Sequence, residues 1–252
     1  MKRNYRSYII DRLKRIFIII SNFVRNLKAS SFESKLVKIC NKYEFSTTSK
    51  ECLWNNLDNF NEIYKNKVQG SIVECGVWTG IYLVFFQKLI EKYNLRNHKI
   101  YGFDTFQGTP APTAEDITKY DESMKEIYDK LKINESFSNW NYTEINEVKK
   151  NYFQNTLPNE NLILIKGKVE DTLLDSNNIP EKISILKLDT NLYEPTKIEL
   201  EKLFPKVQKG GVTIIDNYFA YKGIKKATDE YFVSKNYSIK YYPLIDRAII
   251  YL

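Results

Sequence analysis

The chain has 252 residues, 43% of them hydrophobic and 27% charged, with a net charge of +7. That length and apolar content suit one α/β domain, or one domain with an appendage, and exclude a disordered chain. The three cysteines, Cys40, Cys52 and Cys75, show no paired metal-ligand spacing and read as small apolar residues; with no cleavable signal peptide evident, a reducing cytoplasm is the expected compartment.

The charge is unevenly placed. Residues 1–30, MKRNYRSYIIDRLKRIFIIISNFVRNLKAS, hold Lys2, Arg3, Arg6, Arg12, Lys14, Arg15, Arg25 and Lys28 against Asp11 alone, which accounts for the whole net charge. The remaining chain is neutral and has no excess charge to answer a phosphate backbone, so nucleic acid is not an expected partner. Ile9, Ile10, Leu13, Ile16, Phe17, Ile20, Phe23, Val24 and Leu27 recur at helical spacing among the cations. The longest uninterrupted apolar run, Ile16 to Ile20, is far too short for a bilayer span. Three readings stay open for this basic amphipathic helix: an arm packed on its own domain, a peripheral contact with the inner face of an anionic membrane, or a contact between protomers of a homo-oligomer.

A second helical region is expected from Ser31 to Lys65, punctuated by Gly70. Strands and helices then alternate: SIVECG as a strand, GIYLVFFQKLIEKY as a helix, HKIYGFD as a strand, and a long polar insertion from Thr105 to Asn146. EVKKNYFQN reads as a helix, LILIKG and ISILKLD as strands, PTKIELEKLF as a helix with proline in its first turn, GGVTIID as a strand and AYKGIKKATDEYFV as a helix. The end, YSIKYYPLIDRAIIYL, reads as two strands around a turn, an antiparallel addition at a sheet edge. The expected fold is α/β, with a mostly parallel, Rossmann-like seven-stranded sheet. Open sheets of this kind bind ligands beyond the carboxyl ends of their strands. The informative residues are therefore Glu74, Asp104, Asp189, Asp216 and Asn217.

A dinucleotide site needs a central glycine so that backbone can approach a pyrophosphate. In VECGVWTG, Trp78 stands in that neighbourhood, which disfavours a nicotinamide oxidoreductase. S-adenosylmethionine carries no phosphate: Glu74 suits the ammonium of its methionine end, and Gly76 permits close backbone approach. A plain glycine turn between strand and helix is the alternative. Asp104 can accept from both ribose hydroxyls, and Phe106 can pack near an adenine or belong to the core. If the strands ending in Asp189 and Asp216 are neighbours, two carboxylates and the Asn217 amide leave the sheet together, a hard ligand set for Mg²⁺ or Ca²⁺. The alternative is that one acid caps a helix and the other is solvated.

The ordered set GSIVECGVWTG, IYGFDTFQGTP, VKKNYF, GKVEDTL, LKLDTNLYEPT and GGVTIIDNY resembles the macrocin O-methyltransferase group (TylF/MycF type), over roughly Thr47 to Phe232. The resemblance implies S-adenosylmethionine-dependent methylation of a sugar hydroxyl, as in a surface polysaccharide or a glycosylated metabolite, with a small-molecule sugar or glycoside as acceptor. It implies donor binding by Thr47, Thr48, Glu74, Cys75, Gly76, Val77, Trp78, Asp104, Thr105, Phe106, Gln107, Gly108, Lys168 and Val169. It implies Mg²⁺, or another divalent cation, on Asp189, Asp216 and Asn217, and Asp189 as general base, which requires an acidified alcohol. The chain departs from the pattern at Asn217, where the family has a second Asp, and at Asn191, where it has another acid. His98, the only histidine, is expected as a remote surface-loop residue.

By this reading residues 1–30 form the basic helix and 31–252 the methyltransferase domain, with an acceptor lid at about 109–146. Its Tyr120, Tyr128, Phe137, Trp140 and Tyr142 can stack on a sugar or pack the lid itself. Two alternatives are a methyltransferase of another hydroxylated small molecule and a non-catalytic, membrane- or partner-binding relative.

Overall fold

A computed structural model describes residues 5–41, 48–95, 97–135 and 137–252. The chain divides into two compact units, Met1–Asp58 and Asn59–Leu252. The first holds α1 (Tyr5–Lys28), α2 (Ser31–Asn41) and the opening turns of α3 (Lys50–Lys65). A reciprocal cap starts α2: the Glu33 N–H donates to Ser30 Oγ and the Ser30 N–H to Glu33 Oε2, at 3.2 and 2.8 Å. Ser49 Oγ caps α3 by accepting from the Cys52 N–H at 3.2 Å. The helical region expected over Ser31–Lys65 is thus two separately capped helices.

The second unit carries a seven-stranded sheet. In chain order its elements are β1 (Ser71–Cys75), α4 (Ile81–Tyr93), β2 (Ile100–Asp104), α5 (Met124–Leu131), a ribbon of β3 (Lys132–Asn134) and β4 (Phe137–Ser138), α6 (Ile145–Asn155), β5 (Leu162–Lys166), α7 (Val169–Thr172), β6 (Ile183–Leu188), α8 (Tyr193–Lys202), β7 (Val207–Ile215), α9 (Lys222–Phe232), β8 (Ile239–Tyr242) and β9 (Arg247–Tyr251). The order across the sheet is β5-β2-β1-β6-β7-β9-β8; β5 to β7 run parallel, and β9 and β8 add antiparallel. The expected sheet and C-terminal edge hairpin are both present. The insertion's α5 and ribbon had no expectation, because polar residues at short spacing give no clear period.

Alternation along the strands sorts side chains by face. Val73, Cys75, Leu186, Leu188, Ile215, Ala248 and Ile250 join one buried cluster with Val169, Leu200 and Ile224 of α7, α8 and α9. Glu74, Lys187 and Arg247 therefore fall on the opposite face. Register brings them together: Glu74 lies opposite Lys187, and Ile215 opposite Ala248, so Asp216 and Arg247 flank one another a step further on.

The same register aligns the strand ends. Cys75 pairs with both Phe103 and Leu188, and Leu188 with Ile215, so Asp104, Gly76, Asp189 and Asp216 follow in one row. That row straddles β1 and β6, where the chain reverses its winding, the position at which such sheets bind ligands. His98 lies at the other end of β2 and is buried, correcting the surface-loop expectation: it is 3% exposed, and its Nε2–H donates to the Val68 carbonyl at 3.2 Å.

Candidate active site

The turn after β1 is built around Gly76. Its φ is +83°, and a Cβ there would stand 2.3 Å from the Asp189 carbonyl oxygen. The glycine is thus required by the chain's own packing, since the Asp189 N–H donates to the Cys75 carbonyl at 2.8 Å beside it. Trp78 is half-buried with φ +46°, a left-handed turn residue. Cys75 and Val77 are buried, and burial pushes the Cys75 thiol up, with Glu199 adding to it.

Asp104 holds this turn. Its Oδ2 accepts the N–H groups of Val77 and Trp78 at 2.8 and 3.0 Å, and its Oδ1 accepts that of Phe106 at 2.7 Å. Two lone pairs on Oδ2 and one on Oδ1 are then taken, and the Thr105 hydroxyl lies 3.5 Å from Oδ1. Burial raises its carboxyl above the ordinary range, against the three amides that hold it down. Thr105 Oγ1 donates to the Gly108 carbonyl at 2.7 Å and accepts from the Gln107 N–H at 3.1 Å. Gly108, at φ +82°, runs so close to the ribbon that a Cβ would meet the Ser138 carbonyl at 2.0 Å. Phe106 is buried. Lys168 is exposed and Val169 buried where β5 gives way to α7, and the Gly167 N–H ties that loop to the Asp104 carbonyl at 3.0 Å. Thr48 lies in the first unit, its carbonyl accepting from Asn41 Nδ2 at 3.0 Å. Thr47 lies outside the described residues.

Beneath the strand ends sits a buried ionic cluster. Lys187 Nζ is paired with Asp189 Oδ2, lies 3.2 Å from Asp216 Oδ2 and 3.3 Å from Glu74 Oε1, and stands 4.2 Å from the centre of the Tyr82 ring. Arg247 binds both Asp216 oxygens, Nε to Oδ1 at 3.1 Å and Nη2 to Oδ2 at 2.8 Å, and Nη2 also reaches the Tyr82 hydroxyl at 3.2 Å. Burial works to raise all three acids. Arg247 and Lys187 outweigh it at Asp216, which is held at about 2. It prevails at Asp189, raised to about 6 despite Lys187, and at Glu74, raised to about 8. Near neutral pH, two carboxylates then balance two cations and Glu74 keeps its proton. Its Oε2 has no hydrogen-bond partner among the described residues, an orphaned buried polar atom beside the strand-end row.

Lys187 and Arg247 were missed by sequence reasoning. A lone charge inside the apolar run ISILKL was the available signal for Lys187; nothing local marked Arg247, which reaches the site only through the antiparallel pairing of β9. Asn217, at φ +58°, turns its Nδ2 to Asp189 Oδ1 at 3.2 Å and to Asn191 Oδ1 at 2.7 Å. Two carboxylates and an amide fit a hard cation in kind. As arranged, however, the Lys187 ammonium bridges the two carboxylates, and the amide must turn over to present its oxygen. Among the described residues, no three His, Cys, Asp or Glu side chains gather to hold a metal.

The insertion is pinned beside this row. Asp116 Oδ1 accepts the N–H of Tyr193, at the start of α8, at 2.7 Å, while its Oδ2 accepts the Thr113 N–H at 2.7 Å and the Thr113 hydroxyl at 3.0 Å. Lys119 N–H donates to the Ala220 carbonyl and Lys222 N–H to the Ile117 carbonyl, both at 2.8 Å. Tyr128 is buried in it, whereas Tyr120 and Tyr142 are exposed.

Comparison with known proteins agrees with this geometry. The profile of the macrocin-O-methyltransferase (TylF) family matches residues 39–251. The demethyldecarbamoylnovobiocin O-methyltransferase of Streptomyces niveus is 30% identical over 172 residues, 68% of this chain and 61% of that protein. The 8-demethyl-8-(2,3-dimethoxy-alpha-L-rhamnosyl)-tetracenomycin-C 4'-O-methyltransferase of Streptomyces olivaceus is 28% identical over 60% of this chain and 54% of its own. The chain spans less than two thirds of the length of either relative. Among solved structures, the O-methyltransferase NovP superposes with a TM-score of 0.67 at 24% identity, covering 81% of this chain and 80% of that one, a likeness of fold. The family profile covers most of the chain, including every strand of the sheet and the whole strand-end row, and the chain belongs to the macrocin-O-methyltransferase (TylF) family.

Proposed function

We propose that the chain is an S-adenosylmethionine-dependent O-methyltransferase whose acceptor is a sugar hydroxyl of a glycan or glycosylated small molecule. The observation that carries the donor is Glu74: a buried carboxyl with an unpartnered oxygen at the switch point of the sheet. An α-ammonium arriving there drives Glu74 to ionise and pairs with it. Asp104 takes a ribose hydroxyl on Oδ1, and the turn from Gly76 to Trp78 presents backbone to the rest of the cofactor. The sugar acceptor is supported by the relative whose name specifies a rhamnosyl group and by the polar insertion beside the row. Residues 109–146 act as the lid over the acceptor, with the exposed Tyr120 and Tyr142 available to stack on a sugar ring.

In the reaction the acceptor oxygen attacks the methyl carbon, the carbon–sulfur bond breaks, S-adenosylhomocysteine leaves, and the hydroxyl proton passes to Asp189. Of the three acids around Lys187, that carboxylate is the one with both partial exposure and a raised pKa: its side chain is 20% exposed, against 10% for Asp216 and 1% for Glu74. At about 6 its conjugate acid makes it a stronger base than an ordinary carboxylate, still ionised at neutral pH. Lys187 and Asn217 fix its two oxygens. A divalent cation, when bound, would lie on Asp189, Asp216 and Asn217 and would supply Lewis acidity to the alcohol.

The test is transfer of labelled methyl from S-adenosylmethionine to a panel of glycosides, with Asp189→Asn beside the parent. The expected result is a methyl ether on a sugar hydroxyl and a fall in kcat of roughly 10²–10⁴ in the variant, with donor affinity kept within about threefold, a margin of less than one kcal/mol. Transfer at parental rate by Asp189→Asn would remove Asp189 from the mechanism.

A further inference from the structure

Helix α1 faces the wrong way for a packing arm. Its polar side is the one tied to the rest of its unit: Asn22 Nδ2 donates to Glu51 Oε1, and Arg25 pairs with Asp58 at 2.7 Å. Its apolar side is open. Ile16, Phe17, Ile19, Ile20, Phe23 and Leu27 are 48 to 70% exposed. At 3.6 residues per turn, Ile16, Ile20, Phe23 and Leu27 share one face, and Ile9 and Leu13 continue that spacing in the sequence. An amphipathic helix on a globular protein normally turns its apolar stripe inward; here it is displayed over several turns, among the cations that carry the whole net charge of the chain.

We propose that α1 is a membrane-surface anchor that lays its apolar face into an anionic bilayer. Charge decides between the two occupants that fit such a face. A second copy would bring an equally basic segment against the first, and the two would repel; a surface of anionic headgroups attracts the segment's net positive charge. Insertion is parallel to the surface, because among the described residues no helix is long and apolar enough to cross. The aromatic Phe17 and Phe23 with Ile20 would enter the acyl boundary, and the basic side chains would stay at headgroup level.

The experiment is flotation of the full chain with vesicles of phosphatidylcholine alone and of phosphatidylcholine with 30 mol% phosphatidylglycerol, chosen as about the anionic fraction needed to give an appreciable surface potential. The parent should float with the anionic vesicles and stay behind with the neutral ones, and raising the salt to about 0.5 M should release most of it as the Debye length shrinks. Ile20→Glu/Phe23→Glu, substitutions at exposed positions that leave the fold intact by circular dichroism, should lower the partition coefficient at least about tenfold, the effect of placing charges in the apolar boundary. Equal flotation of parent and variant would overturn the proposal. So would a parent that ignores both vesicles but sediments as a dimer that the double variant abolishes, since the face would then belong to a second copy.

Discussion

Asp104→Ala separates two roles that one carboxylate could play. If Asp104 served only a ribose, its loss would weaken donor binding and leave the free protein untouched. The structure instead gives it three backbone N–H groups, those of Val77, Trp78 and Phe106. Removing the acceptor strands three donors, each costing about 1–3 kcal/mol when left unpaired and buried. The three share one acceptor and the turn can relax toward water, so the sum is not additive; about 3–5 kcal/mol is expected. For a chain of this size each kcal/mol moves Tm by roughly 2–4 °C, so calorimetry of the ligand-free protein should register a fall of about 10 °C. Asp104→Asn keeps one acceptor oxygen and should fall between variant and parent. A shift below about 2 °C in Asp104→Ala, within the scatter of an ordinary surface substitution, would refute the account of the turn.

Gly76→Ala should cost about 2–5 kcal/mol, from a left-handed φ and from a Cβ driven into the Asp189 carbonyl; equilibrium unfolding in urea checks it, and a neutral variant would show that the β1 turn and the end of β6 are not in close contact. Glu74 rises to about 8 in the free protein, against an unfolded value of 4.5. Between those values the folded chain holds a proton that the unfolded chain has released, so the stability linked to Glu74 is greatest below about pH 4.5 and declines as pH rises toward 8. Donor binding runs the other way. At pH 7 it should release about one proton, seen as a dependence of the calorimetric heat on buffer ionisation enthalpy, and affinity should climb until about pH 8; a pH-independent affinity would contradict it. Asn217→Asp adds a carboxylate to the Asp189 and Asp216 pair and should tighten Mn²⁺ about tenfold by electron paramagnetic resonance, as ligand charge sets such affinities; an unchanged affinity would remove Asn217 from the cation's ligands.

Much of the site was legible in the sequence because a parallel sheet delivers its strand ends to one edge. Glu74, Asp104, Asp189, Asp216 and Asn217 each stand at or beside the end of an apolar run, and register sets Asp104, Gly76, Asp189 and Asp216 in a row with Glu74 two residues before Gly76. What lay hidden depended on long-range pairing. Lys187 looked like an interruption of ISILKL until it faced Glu74 across the β1–β6 register, and Arg247 is brought to Asp216 by an antiparallel partner that no local period announces. Asp104 was read for its ligand, although its oxygens first satisfy the chain's own amides, a demand that depends on where the Gly76 turn folds back. His98 was read from loop polarity, whereas its ring is buried against the Val68 carbonyl. At the amino terminus the spacing revealed an amphipathic helix but not its orientation, which rests on Asn22 and Arg25 finding Glu51 and Asp58.

The central claim, an adenosyl methyl donor at the β1–β6 switch point, is tested most directly by titration calorimetry of the full chain with S-adenosylmethionine. The predicted result is a single site that also accepts S-adenosylhomocysteine, that weakens at least about tenfold in Glu74→Gln, the effect of losing one charged pair of about 1.4 kcal/mol, and that gives no heat with NAD. No binding of either adenosyl ligand, or parental affinity in Glu74→Gln, would contradict it.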